Sequence, residues 1–199
     1  MILESALILS LANQCQSNIS TDIVQKLISV ESGGDPFAIA IKGVPIIKQP
    51  KSKEEAISAI KQLDSLGFNY SVGLMQVNHT NFKKYGLTID SAFDYCPNIK
   101  AGSEIFADCL NRAKVKYNSK SESQIINHAA SCYYSGNFTY GFKKEGSNNV
   151  SYVEKFNGVR TNTHSPEKIK SHRIQNESNN TPEIKKSSEP WDVFGDFAK

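Results

Sequence analysis

With 199 residues, the chain suits one domain of about 150 residues plus an extra segment. Lys and Arg number 23 against 20 Asp and Glu, a net charge of +3, which gives no indication of nucleic acid as a partner. The same charge is compatible with an anionic polymer without demanding one, and no stretch is apolar for long enough to span a membrane.

Residues 2–12 are too short for a secretory signal core. They contain Glu4 and lack a preceding positive region, so they read as a first amphipathic helix with Leu3, Leu7 and Leu11 on one side. The next helix follows at once. Ile23, Val24, Leu27, Ile28 and Glu31 share a face, Ser20 or Thr21 caps its start, and Gly33-Gly34 ends it. A carboxylate thus finishes an apolar stripe in a last turn, where burial and the negative end of the helix dipole both favour the protonated form. That suits a general acid.

Phe37–Ile41 and Val44–Ile47, separated by Lys42-Gly43, read as a hairpin, with Pro45 and Pro50 marking its second run as an edge. Ser52 to Glu55 is a capping box opening a helix that carries Ala56, Ile57, Ile60 and Leu63 and closes at Gly67. The run Tyr70–Asn78 reads either as a buried strand or as a groove lining whose amides meet sugar hydroxyls. Ile99, Gly102, Phe106, Cys109, Leu110 and Ala113 mark a helix beginning near Pro97. Ser121 to Gln124 is a second capping box, and its helix carries Ile125, Ala129, Cys132 and Tyr133 before stopping at Gly136. The elements make an α+β domain, predominantly α, over residues 1–160. Residues 161–199, rich in Asn, Ser, Pro and Lys, read as a disordered tail.

Cys15, Cys96, Cys109 and Cys132 form no CxxC and have no His at zinc-ligand spacing, so no metal site and no cofactor are indicated. An even, scattered set is compatible with two disulfides and an oxidising compartment such as the periplasm; four buried thiols are the alternative, and the pairing stays open. His128 has no acid or nucleophile at a suggestive spacing and reads as packing or facing water rather than catalysing.

Three blocks in order resemble the lytic transglycosylases with a lysozyme-like fold: Glu31-Ser32, then Gly73-Leu74-Met75-Gln76 continuing into Val77-Asn78, then Cys132-Tyr133-Tyr134-Ser135-Gly136. The family pattern in the third block is Ala-Tyr-Asn-Ala-Gly, so only Tyr133 and Gly136 fit there, and a later family Tyr corresponds to Tyr152. The helix between the first two blocks, the cysteine placement and the closing Trp-Asp-Val-Phe-Gly-Asp run are similar to the peptidoglycan-cleaving subunits of type IV secretion systems. The resemblance implies a periplasmic protein of the bacterial envelope acting on peptidoglycan glycan strands. It also implies Glu31 as the catalytic acid and base, Gln76 and Asn78 on the glycan, Met75 and Tyr133 lining the groove, and Tyr152 positioning Glu31 or the sugar. Ser32 and Ser71 are further candidates for substrate binding.

One carboxyl suffices if the substrate's own hydroxyl is the nucleophile. A hydrolytic, lysozyme-type muramidase would need Asp35, Asp64, Asp90 or Asp94 facing Glu31. A glycan-binding assembly factor is the third reading. The tail aromatics Trp191, Phe194 and Phe197, spaced by three, suit contact with other secretion components.

Overall fold

The computed structural model describes residues 1–44 and 48–161. Pro45 to Ile47 of the expected hairpin and residues 162–199, with Trp191, Phe194 and Phe197, lie outside the described residues.

Six helices carry the described fold: α1 (Ser5–Cys15), α2 (Thr21–Ser32), α3 (Lys53–Ser65), α4 (Tyr95–Lys116), α5 (Glu122–Ser135) and α6 (Tyr152–Gly158). Three short strands, β1 (Ile39–Ile41), β2 (Tyr70–Val72) and β3 (Val77–Asn78), form an antiparallel sheet in that order. A second hairpin, β4 (Lys144–Glu145) with β5 (Val150–Ser151), runs directly into α6. No helix among the described residues is long and apolar enough to cross a membrane.

The apolar stripe of α2 is the centre of the core. Val24, Leu27 and Ile28 have no exposed surface, and each contributes on the order of 2 kcal/mol by leaving water. The Ser20 hydroxyl accepts from the Ile23 amide, and Gly33, with φ of 59°, lets the chain leave the helix through the left-handed region. The other helices close over this stripe: α1 packs on α2 and α4, α4 on α5, and α6 on α2 and α5. Phe156 of α6 stacks on Phe106 of α4 across the middle. The two disulfides follow the same lines, Cys15–Cys96 joining α1 to the first turn of α4 and Cys109–Cys132 joining α4 to α5. Their sequence separations of 81 and 23 residues imply roughly 4 and 3 kcal/mol of loop-closure stabilisation.

Two expectations need correction. In α1 the buried seam is Ala12 and Cys15 with Ile8 and Leu11 against the core, while Leu7 is exposed. The helix starts only at Ser5, so Leu3 belongs to the preceding extended segment, whose amide bonds to the Gly34 carbonyl, and cannot set the helical face. The strand Ile39–Ile41 takes β2 as its ladder partner, with Ile39 opposite Val72 and Ile41 opposite Tyr70. Of the expected hairpin, the described residues keep one bridge between Ile41 and Val44.

Candidate active site

Between the small sheet and the helices runs an open groove of about 1020 Å³. Glu31 lines it from the last turn of α2 and is the sole carboxylate among the described residues that do so. Its side chain is 8% exposed, and burial pushes its carboxyl up to about 7. The Tyr152 hydroxyl donates to Glu31 Oε1, which opposes part of that rise by favouring the charged form. Tyr152 is the first residue of α6 and is itself buried. Burial first, and then the Glu31 charge, push the phenols of Tyr152 and Tyr133 well above their ordinary range. Both therefore remain donors wherever Glu31 titrates.

The run Gly73 to Gln76 is a turn between β2 and β3 rather than part of a continuous strand. A buried amide holds it. Asn98 Oδ1 accepts from the Met75 amide at 2.8 Å, and its Nδ2 donates to the Val72 and Ala92 carbonyls at 3.0 and 2.9 Å. Gly73, at φ of +78°, is pressed so closely on Asn98 that a Cβ there would lie 2.4 Å from Nδ2. The Tyr133 hydroxyl donates to the Met75 carbonyl at 2.6 Å, and the Ser32 hydroxyl donates to the Leu74 carbonyl at 2.9 Å. The turn is thus tied to the end of α2, to α4 and to α5, and it fixes the groove floor relative to Glu31.

The opposite wall is polar. Gln76, at φ of +46°, lines the groove while its Nε2 donates to the Ala38 and Gly73 carbonyls, both at 3.0 Å. Asn78 Nδ2 donates to Asn69 Oδ1 and to the Ser71 hydroxyl, and its Oδ1 accepts from Thr80. Asn69, Ser71, Asn78 and Thr80 all line the groove. At the outer edge Gln49 Oε1 accepts from the Ile39 amide and its Nε2 donates back to the Ile39 carbonyl, at 2.8 and 2.9 Å. One side-chain amide thereby satisfies both backbone groups of Ile39 on an edge strand.

Of the residues expected at the site, Glu31, Ser32, Ser71, Gln76, Asn78 and Tyr133 line one groove, and Tyr152 reaches it through Glu31. Ser32 is buried, with its hydroxyl bonded to Leu74, Ile28 and Gly34 backbone groups, so it joins elements. Met75 does not line the groove: it is fully buried, with its side chain against Gly102 of α4. In a tight turn the backbone of Met75 faces Tyr133, which sends the thioether inward. Asp35 accepts from the Phe37 amide, Asp64 from the Tyr70 hydroxyl, and Asp94 pairs with Lys53. None of these, nor Asp90, lines the groove. The His128 Nδ1 pairs with the Phe138 carbonyl, and its ring stacks on Tyr117. Sequence reasoning missed Asn98, Gln49, Asn69 and the Tyr134–Glu145 pair, each of which bonds to a different segment of the chain from its own.

The transglycosylase SLT domain model matches residues 8–154. A Brucella abortus protein named type IV secretion system protein virB1 is 45% identical over 148 residues, covering 74% of this chain and 61% of its own length. The Brucella suis protein of that name aligns to the same extent. Protein virB1 of Rhizobium radiobacter is 29% identical over 194 residues, covering 94% of this chain and 72% of its own. The chain therefore spans about 61% of the length of the Brucella relatives. No solved structure matches it. A matched model that runs from α1 into α6 and takes in the groove from Glu31 to Tyr152 makes the assignment plain: the chain belongs to the transglycosylase SLT domain family.

Proposed function

We propose that the chain is a lytic transglycosylase that cleaves the β-1,4 bond between N-acetylmuramic acid and N-acetylglucosamine in peptidoglycan. The observation that carries this reading is Glu31, a buried carboxyl held near neutrality on one side of a groove with no second carboxylate among its described lining. Protonated Glu31 donates to the glycosidic oxygen, and the bond from that oxygen to the muramoyl anomeric carbon breaks. The resulting carboxylate takes the proton of the muramoyl C6 hydroxyl as its oxygen bonds to the anomeric carbon. The proton lost in the first step is regained in the second, and a 1,6-anhydromuramoyl end is left without water entering. Intramolecular attack needs no base-activated water, which is why one carboxyl is enough. Tyr152 orients Glu31 and stabilises its anionic form between the steps, while Ser71, Gln76 and Asn78 offer amide and hydroxyl groups to the sugars. A hydrolase would need a facing carboxylate, and Asp35, Asp64 and Asp94 are engaged elsewhere.

The name of the Brucella relatives supports a place beside a type IV secretion apparatus, opening the periplasmic wall for its assembly. In this reading residues 161–199 contact other components of that apparatus. Purified peptidoglycan digested with the protein tests the chemistry. Released muropeptides should be lighter by one water than hydrolysed ones, and a predominance of reducing ends would overturn the proposal. Deleting residues 161–199 should leave that digestion within about twofold while weakening co-purification with envelope assembly proteins.

A further inference from the structure

The third sequence block contributes a residue that the chemistry above does not use. Tyr134 lies on the last turns of α5 and lines the groove beside Tyr133. Its ring stacks on Tyr152, with centroids 4.6 Å apart and planes within 10°. Its hydroxyl donates to Glu145 Oε2 at 2.7 Å. Glu145 sits on β4 directly opposite Val150 of β5, and two residues after Val150 the chain reaches Tyr152. The same carboxylate takes a hydrogen bond from the Tyr140 hydroxyl. One acid on the hairpin therefore receives two groove-lining phenols from outside it.

We propose that Glu145 and Tyr134 form a latch that holds the Tyr152 hydroxyl on Glu31, making both positioning residues for the acid. Glu145 fixes the rotation of Tyr134. The Tyr134 ring then covers one face of Tyr152 and denies it the groove. The β4–β5 ladder carries the same tie to the backbone that delivers Tyr152. Without the latch, the Tyr134 ring loses the bond that sets its rotation, and its stacking on Tyr152 loosens. Charged groups on the same hairpin and the turn before it include Lys143, 4.8 Å from the Tyr140 ring, and Lys144, 3.8 Å from Glu154. Tyr133 and Tyr152 are the titratable groups facing Glu31 itself.

The catalytic consequence rests on the proposed function, but the positioning does not, so the test reads Glu31 directly. Carbon-labelled glutamate and NMR follow the Glu31 titration in the full chain. Removing the Tyr152 donor with Tyr152→Phe raises the midpoint, because a lost hydrogen bond disfavours the carboxylate. Glu145→Ala should raise it in the same direction by about half a unit and add nothing in the Tyr152→Phe background. Tyr134→Phe keeps the packed ring and should behave likewise, which covers the case in which Glu145→Ala does not fold. Glu145→Gln retains an acceptor and should restore the wild-type titration. With peptidoglycan, Glu145→Ala should lower kcat roughly tenfold and leave KM within about twofold. An unshifted Glu31 midpoint in both Glu145→Ala and Tyr134→Phe would overturn the latch, as would shifts that add to that of Tyr152→Phe. Absence of cleavage by the wild type, with the NMR shifts present, would instead remove the proposed function and leave the latch standing.

Discussion

The two walls of the groove are built on opposite principles. On the helical side, Glu31 and Tyr152 are buried and bond to one another, so the environment strengthens each interaction and shifts the acid toward neutrality. On the sheet side, Ser71, Gln76 and Asn78 are half-buried, and their hydrogen bonds to neighbouring chain leave them at the groove surface. The first wall gains reactivity by excluding water. The second holds its polar groups in place, Gln76 through its Nε2 and Asn78 through both ends of its amide. In the proposed function, chemistry and recognition are thus separated by the width of the groove.

Mutation of the dry wall should have the larger effect. Glu31→Gln is expected to reduce cleavage of purified peptidoglycan by at least ~10³-fold, since donation to the leaving group and removal of the C6 proton are both lost. The same variant should be the more stable protein at neutral pH. Glu31 binds its proton more tightly when folded, so its effect is absent below the usual carboxyl value of 4.5, and wild-type stability falls as pH rises from there through about 7. The gap between Glu31→Gln and wild type should grow over that window toward roughly 3 kcal/mol, checked by thermal melts across pH. A constant gap would mean that Glu31 is solvated and that the dry wall is not dry.

Tyr152→Phe keeps the ring and removes the donor. A roughly tenfold loss in kcat is expected, together with an alkaline limb of kcat/KM moved upward from about pH 7, because the charged form of Glu31 loses its partner. A limb moved downward would contradict the assigned donor direction. On the wet wall, Asn78→Ala should raise KM about fivefold and change kcat little, as expected of binding made equally in ground and transition states. A kcat effect as large as that of Tyr152→Phe would erase the distinction between the walls. The smallest effect on chemistry should come from the frame: reducing Cys15–Cys96 and Cys109–Cys132 should lower the melting temperature by at least several degrees, while cleavage well below that temperature stays within about twofold.

Local signals were readable along the chain, and distant ones were not. The Ser121 capping box forms in full, and Ser52 caps α3, although Glu55 reaches back to the Lys51 amide instead of closing a box on Ser52. The stripe that ends in Glu31 is visible because helical periodicity depends on neighbours within a few turns. The β1–β2 pairing depends on residues some thirty positions apart, and nothing near Ile39 specifies Val72. Asn98 looks like an ordinary residue in the first turn of a helix, yet its side chain makes three hydrogen bonds, to the Met75 amide and to the Val72 and Ala92 carbonyls, that tie the turn around Gly73 to the start of α4. Met75 illustrates the converse: its block was legible as a site, but the inward direction of its side chain follows from turn geometry that sequence spacing does not encode.

The central claim is that Glu31 acts alone, with the substrate's C6 oxygen as the nucleophile. Digestion of purified peptidoglycan in water labelled with heavy oxygen measures this at the bond that forms. The account predicts anhydromuramoyl ends carrying no label, because that oxygen comes from the sugar. Label at the anomeric carbon of the released muramoyl ends would contradict it.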